Sequence, residues 1–509
     1  MNSENRERNH KEAGEEATYD HVLKYTGVFG GVQVLTMLVS MLRNKLASAW
    51  LSKAGMGFFM LYSNIASFVS STSNAGIPFS AVKNISELYE KGTPGEVGSY
   101  VVTVRSWSLW TALFGALLCV LMAPFISYFT FDGDWGYSGK VAMLAPMIFA
   151  IAVTNGEVSV LKGTRQLKCV AAITAISALL TLVSVLPFFY LWGAEGVVAA
   201  LVVNAVVVMV VHLYFSLKIY PWRVRLFSHS VLQQGVGMIR LGIPYVAASI
   251  LNSLTALAVP AVLLYLGCMD DVGLYKVGYS LMVVYAGIVF VAVESDYFPR
   301  LSAVNDDVQR MNKVINQQVD VCVLLMSPLL LFMVSAMPFI IRILYTGEYL
   351  PVVGMAVLSV FYMFFKAMVL PVAYTALAKG DSVTYLFMEV AYDIFSFALI
   401  AAGYYYGGIT GTGIALSLAS LFDLLMIYVC YSRKYGFSLS GATVRLSIVQ
   451  GVLLFAGVAV AMLCTGWVKW SVSVLLLMLS AAYSLYLLQS NSNVLDAVKR
   501  RFTRGGTSK

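Results

Sequence analysis

The chain of 509 residues is 59% hydrophobic and 12% charged, with a formal net charge of +8. Water-soluble proteins carry about 25% charged residues, so this composition excludes a soluble enzyme or binding domain. Apolar runs of about 20 residues recur along the chain, as helical membrane spans require, and the positive balance needs no nucleic-acid partner.

The first residues, MNSENRERNHKEAGEEATYD, are polar and of mixed charge, without the apolar core and cleavage site of a signal peptide. They read as a disordered tail, 1–21. Fourteen spans follow, near 25–50, 55–79, 106–130, 141–161, 169–191, 195–218, 240–266, 272–298, 317–345, 351–378, 382–406, 410–432, 443–466 and 468–489. The expected fold is an all-α polytopic membrane protein.

Span 1, VLTMLVSMLRNKLASAW, places Arg43, Asn44 and Lys45 where a cation costs about 2.5–3.5 kcal/mol on insertion scales. Both cations lie about 15 Å along the helix from the Gly55 end, and two residues apart they point about 200° from one another. Span 2 carries Ser63, Asn64, Ser67, Ser70, Ser71, Thr72, Ser73 and Asn74. Small polar residues of this kind either join helices or line a cavity for sugars, in which case Asn64 contacts substrate. Pro78, Pro244, Pro260 and Pro371 are expected to bend spans 2, 7 and 10.

Further along, Glu157, Glu294 and Asp296 lie near span ends as candidate gate charges. Lys366 is mid-span in VLSVFYMFFKAMVLPVAY, Glu389 and Asp393 share one face of span 11, and Asp423 is mid-span in span 12. Ionisable groups at such depth face a cavity and one another and mark functional pathways. Lys366 paired with Glu389 or Asp393 would be a structural lock. Alternatively these carboxylates take up a coupling proton or Na+.

Cations gather in one set of loops, among them LKGTRQLK (161–168), KIYPWRVRLF (218–227) and the tail KRRFTRGGTSK, with Arg105 assigned to the same side. The alternate loops, such as FDGDWGYSG and GCMDDVG, are poor in cations. The positive-inside rule makes the first set and both termini cytoplasmic. The chain also echoes itself. Lys162-Gly163 and Lys379-Gly380 each follow a fourth span, with Gly196 and Gly413 at matching distances beyond. PFSAVKN (78–84) answers PRLSAVN (299–305). The organisation is then a tail (1–21), a six-helix lobe (22–218), a linker (219–239), a second six-helix lobe (240–434), a helix pair (435–489) and a basic tail (490–509). Repeats in one orientation are the plan of transporters that rock two bundles about a central site.

This plan, with LRNKLASAWLSKAGMGFFMLYSNIASFVSSTSNAGIPFSAVKNISE, a Gly-x-Gly turn at Gly55 and Gly57, and the Lys-Gly after span 4, resembles the polysaccharide-transport branch of the multidrug/oligosaccharidyl-lipid/polysaccharide (MOP) superfamily, and within it the Wzx-type flippases. The resemblance implies a flippase of the bacterial cytoplasmic (inner) membrane. It would carry an undecaprenyl-pyrophosphate-linked oligosaccharide, such as an O-antigen repeat unit, to the outer leaflet by alternating access through a V-shaped cavity. It implies partner polymerase and export proteins of the same pathway, and an apolar groove for the lipid tail at the last helix pair, which could equally be structural padding. Arg43, Lys45, Asn64 and Lys366 are then the substrate-binding candidates. The Arg43 fork suits a phosphate, while Lys45 matches the family's pattern better.

Four histidines and six scattered cysteines form no metal-ligand spacing, and no phosphate-binding lysine loop is present. We expect no enzyme, no metal and no cofactor. A lipid II flippase, a cation-coupled drug exporter, and a non-transport assembly component of a glycan export complex remain as alternatives.

Overall fold

The computed structural model describes residues 31–490 apart from 288–289, 291–296, 298–299, 303 and 305. The terminal segments read as tails lie outside the described residues. Among those described, the architecture is helical with no strand. Helix α1 occupies 31–50, followed by α2 (Lys53–Ser73), α3 (Ile77–Lys91), α4 (Pro94–Thr130), α5 (Ser138–Ala142), α6 (Ala145–Gly163), α7 (Leu167–Trp192) and α8 (Val197–Ile219). Then come α9 (His229–Leu266), α10 (Met269–Tyr279), α11 (Val308–Leu344), α12 (Val353–Leu358), α13 (Val360–Ala378), α14 (Ser382–Tyr435), α15 (Gly441–Leu463) and α16 (Gly466–Ser490).

Eight of the described helices are long and apolar enough to cross a membrane, or nine if the bent pair Trp135–Ala142 and Ala145–Gly163 counts as one span. The chain is a multi-pass membrane protein. Helix α2 is absent from the eight because its serines and Asn64 dilute its apolar character. Helix α10 is absent because it is only 11 residues long before a π turn at Ser280–Tyr285. Two of the eight segments, Lys168–Ile219 and Val383–Tyr435, have 52 and 53 residues. Straight, each would extend about 78 Å, far beyond a hydrocarbon core of about 30 Å. Each instead folds back on itself.

The reversals rest on glycine. Gly193 (φ 52, ψ −132) separates α7 from α8, and Gly408 (φ 55, ψ −149) breaks α14 into two arms. This corner of backbone space is open essentially only to glycine. Close backbone approach follows the reversal in both places. A Cβ on Gly196 would meet the Phe188 carbonyl, and one on Gly411 the Gly403 carbonyl. The turns that open the two hairpins also match. Thr164, Arg165 and Gln166 donate to Val160, Lys162 and Leu161, as Lys379, Gly380 and Asp381 donate to Thr375, Leu377 and Ala376. Arg165 (φ 58) and Gly380 (φ 71) are both left-handed. Arg165 with Gly380, Gly193 with Gly408 and Gly196 with Gly411 share one constant separation. It is two residues shorter than the Lys-Gly echo suggested. The structural partner of Gly196 is Gly411, not Gly413.

Two details of the opening segment also differ from the sequence reading. Gly55 and Gly57 are inside α2, and the turn before it is capped by Ser52, whose hydroxyl accepts from Gly55 N at 3.1 Å. Pro78 does not bend a continuous span. The chain has already broken at Ala75 (φ 50) and Gly76 (φ 72), and Pro78 lies in the first turn of α3, where its missing N–H costs nothing.

The chain divides into two compact units, Met1–Leu257 and Ala258–Lys509. In the first, α4 packs against α6, α6 against α8, and α7 against α8. In the second, α13 packs on α14, and α11 contacts α13, α15 and α16. Helices α15 and α16 are joined by buried amide and hydroxyl groups. Ser480 Oγ donates to Gln450 Oε1 at 2.7 Å, and Gln450 Nε2 to Ser484 Oγ at 2.9 Å.

A Cβ at Gly407 or at Gly408 meets no atom within 4 Å, and only Gly408 has positive φ. Gly408→Ala is therefore expected to destabilise the protein by about 1–3 kcal/mol through backbone strain alone, while Gly407→Ala leaves stability unchanged. Thermal midpoints of the two detergent-solubilised variants check this.

Candidate substrate and coupling site

In the second unit, the second arm of α14 runs alongside α13 in the same direction, joined rung by rung. Ser417 Oγ donates to the Leu358 carbonyl (2.7 Å), Ser420 Oγ to that of Tyr362 (3.0 Å) and Tyr431 OH to that of Ala373 (3.4 Å). One turn beyond Ser420 lies Asp423, and one turn beyond Tyr362 lies Lys366. The ladder therefore brings Lys366 Nζ to Asp423 Oδ2 at 3.4 Å, with the side chains 25% and 5% exposed. The ammonium also lies over the Tyr392 ring, 5.0 Å from its centroid, an arrangement that further offsets its desolvation. Glu389 and Tyr362 are near enough to act on Lys366 electrostatically, and the π turn at Ser280–Tyr285 packs against α13.

The expected partner of Lys366 was Glu389 or Asp393, and the structure gives Asp423 instead. Glu389 lies half-buried beside the pair, within electrostatic range of Lys366 but without a salt bridge to it. Asp393 is half-buried on the next turn. Among the described residues the site therefore gathers Lys366 with several carboxylates and tyrosines, of which Asp423 is the most buried carboxylate.

The first unit holds Arg43, Lys45, Asn64 and Glu157. Arg43 and Lys45 are both half-buried on α1. The Arg43 guanidinium lies 5.8 Å from the Phe59 ring centroid on α2, and its Nη2 donates to Asn44 Oδ1 at 3.5 Å. Asn64 Nδ2 donates to the Ala256 carbonyl of α9 at 2.6 Å. Glu157, read as a gate charge, is locked in a bidentate pair with Arg105. Nε to Oε1 is 2.9 Å and Nη2 to Oε2 is 3.0 Å, and both side chains are almost fully buried. Ser216 also donates to Glu157. Arg105, expected in a cytoplasmic loop, sits inside α4, tying α4, α6 and α8 together. Its Nη1 donates to the carbonyls of Tyr220 and Pro221, and it stacks 5.4 Å from the Trp222 ring centroid. Nothing local in the sequence marks this, since the partners lie 52 and 111 positions away. Glu294 and Asp296 lie outside the described residues.

Outside the spans, Asp381 in the turn between α13 and α14 clips that turn to the end of α14. It accepts from Lys434 Nζ (2.5 Å), from Thr384 N (3.1 Å) and from Tyr435 OH (2.8 Å). The Lys434 ammonium first, then the Thr384 N–H and Tyr435 hydroxyl, hold the Asp381 carboxyl well below the usual range. Because the carboxyl is shifted down, the clip is fully present above the ordinary aspartate range and is lost only as pH falls through the lowered value.

A family model described as polysaccharide biosynthesis protein matches residues 22–305, more than half of the chain. The chain belongs to the polysaccharide biosynthesis protein family. No curated protein sequence matches it. Among solved structures, this family member is similar to the lipid II flippase MurJ in an inward closed conformation (TM-score 0.67, 13% identity, covering 90% of this chain and 99% of that one). It is also similar to an inward-facing multidrug resistance MATE family transporter of the MOP superfamily (TM-score 0.64, 12% identity, 79% and 94% covered). A third likeness is to a MOP superfamily transporter from Pyrococcus furiosus (TM-score 0.53, 15% identity, 80% and 96% covered). These likenesses establish the fold as that of MOP superfamily transporters.

Removing one member of the Lys366–Asp423 pair strands the other. Lys366→Met and Asp423→Asn should each destabilise the protein, toward the lower end of about 3–5 kcal/mol because Lys366 is a quarter exposed. The double variant Lys366→Met/Asp423→Leu should recover most of that loss. Thermal unfolding of the three proteins gives the comparison, and equal losses in single and double variants would contradict the pairing.

Proposed function

We propose that this protein is a flippase that moves an undecaprenyl-pyrophosphate-linked oligosaccharide, an O-antigen or similar repeat unit, from the cytoplasmic to the outer leaflet by alternating access. The observation that carries the reading is the match to the polysaccharide biosynthesis family in a chain with a transporter fold. Cations placed within apolar helices support it, because the pyrophosphate is the part of such a lipid that needs them. In this reading the chain has fourteen spans with both termini cytoplasmic, in the bacterial inner membrane. Of Arg43 and Lys45, which point to different sides of α1, one meets the pyrophosphate and the other a carboxylate, and Lys366 is a further cationic candidate. Asp423, Glu389 and Asp393 are the groups through which a proton or Na+ would couple to movement, and the polymerase and export proteins of the pathway are the partners.

A second reading, transport of lipid II, is favoured by one observation, the coverage of nearly the whole of MurJ. The family match favours the glycan carrier. Lipid extracts from cells lacking the protein separate the two by mass. An accumulating undecaprenyl-pyrophosphate oligosaccharide is the expected result, and accumulated lipid II would replace the first reading with the second. In complemented cells, Arg43→Ala and Lys45→Ala should each reduce glycan export at unchanged protein level. Full export would remove that residue from phosphate contact.

A further inference from the structure

Part of the polar stripe of α2 is bonded to α9 in this conformation. Asn64 Nδ2 donates to the Ala256 carbonyl (2.6 Å), Ser71 Oγ meets Ser253 Oγ (2.9 Å), and Ser249 Oγ meets Ser71 Oγ (3.2 Å). Positions rise along α2 as they fall along α9, so the two helices run antiparallel and the three contacts form one seam. The Ala256 carbonyl has a particular reason to accept. In a helix its donor would be the N–H four residues on, and that residue is Pro260, which has none. The carbonyl would otherwise be left without its helical donor at membrane depth, where an unpaired backbone group is costly. Asn64 supplies the missing donor from the neighbouring helix.

We propose that Pro260 and Asn64 form a latch. The proline frees the Ala256 carbonyl, Asn64 is positioned by it, and the Ser71, Ser249 and Ser253 hydroxyls complete a seam that must part for α2 and α9 to separate. Pro260 is then a positioning residue acting through Asn64, and the substrate role first given to Asn64 becomes available only when the seam is open. The proposal goes beyond the transport reading and holds for any cargo.

The test uses the full-length protein in membrane vesicles, with native cysteines replaced and Ser253→Cys as a reporter of opening, labelled by a water-soluble maleimide. Asn64→Ala and Pro260→Ala should each raise the labelling rate about three- to twenty-fold, the range for one interhelical hydrogen bond in a membrane protein. Because Pro260→Ala restores an N–H to the Ala256 carbonyl, the double variant should label no faster than the faster single one. Multiplying effects would mean that the two residues act independently, and an unchanged rate in either single variant would remove the latch. Ser480→Cys, buried in the α15–α16 contact, serves as a control. A parallel rise there would show general loosening and would equally overturn the proposal. None of these readouts depends on the cargo, so the latch and the transport reading can fail separately.

Discussion

In hydrocarbon no water is present to satisfy a stranded charge or carbonyl, and each polar group buried there must find its partner within the protein. The internal joints of this molecule are solutions to that constraint. Lys366 is met by Asp423 and the face of Tyr392. Arg105 is met by Glu157 and by the carbonyls of the segment leaving α8. The carbonyl that Pro260 deprives of its donor is met by Asn64. In each case the partners come from different helices, so satisfying the group also fixes how the helices pack. A buried ion pair contributes little net stability compared with an apolar replacement, but breaking one is expensive. Such groups therefore specify arrangement more than they add stability.

The class of fold was legible because composition and the length of apolar runs follow directly from the bilayer's thickness. So were the two hairpins, whose Lys-Gly turns and following glycines stood out. Their register was not. Identical letters aligned Lys162-Gly163 with Lys379-Gly380, while the backbone aligns Arg165 with Gly380, because what repeats is a left-handed turn residue and a Gly-only reversal. A left-handed arginine carries no sign of that in its letter. The same limit hid the true partner of Lys366. Glu389 and Asp393 were attractive because they lie four apart on one face, but a helix face does not say which neighbour it meets. The rungs at Ser417 and Ser420 decide that, and they bond to backbone carbonyls that any sequence would supply.

Arg105 and Asn64 show two different limits of reading a sequence locally. Arg105 looked like a loop cation because a charge near a span end is normally solvated, yet α4 continues well past the apolar run and buries it. Asn64 stands on a helix rich in hydroxyls that can join helices or line a cavity, and the missing proline N–H on α9 leaves a backbone carbonyl that accepts from it. That second relation was readable in principle, since a proline in an apolar span always leaves one carbonyl without its helical donor. In the proposed transport reading the charged groups in the spans are the candidate cargo and coupling residues.

The most direct test of this account is transbilayer movement in a purified system. The protein is reconstituted into vesicles holding a fluorescent undecaprenyl-pyrophosphate oligosaccharide, and the fraction of glycan open to a membrane-impermeant glycosidase is followed with time. The account expects the protected inner pool to become accessible only in vesicles containing the protein, and more slowly with Arg43→Ala. An inner pool that stays as protected as in protein-free vesicles, under an imposed proton or Na+ gradient as well as without one, would contradict it.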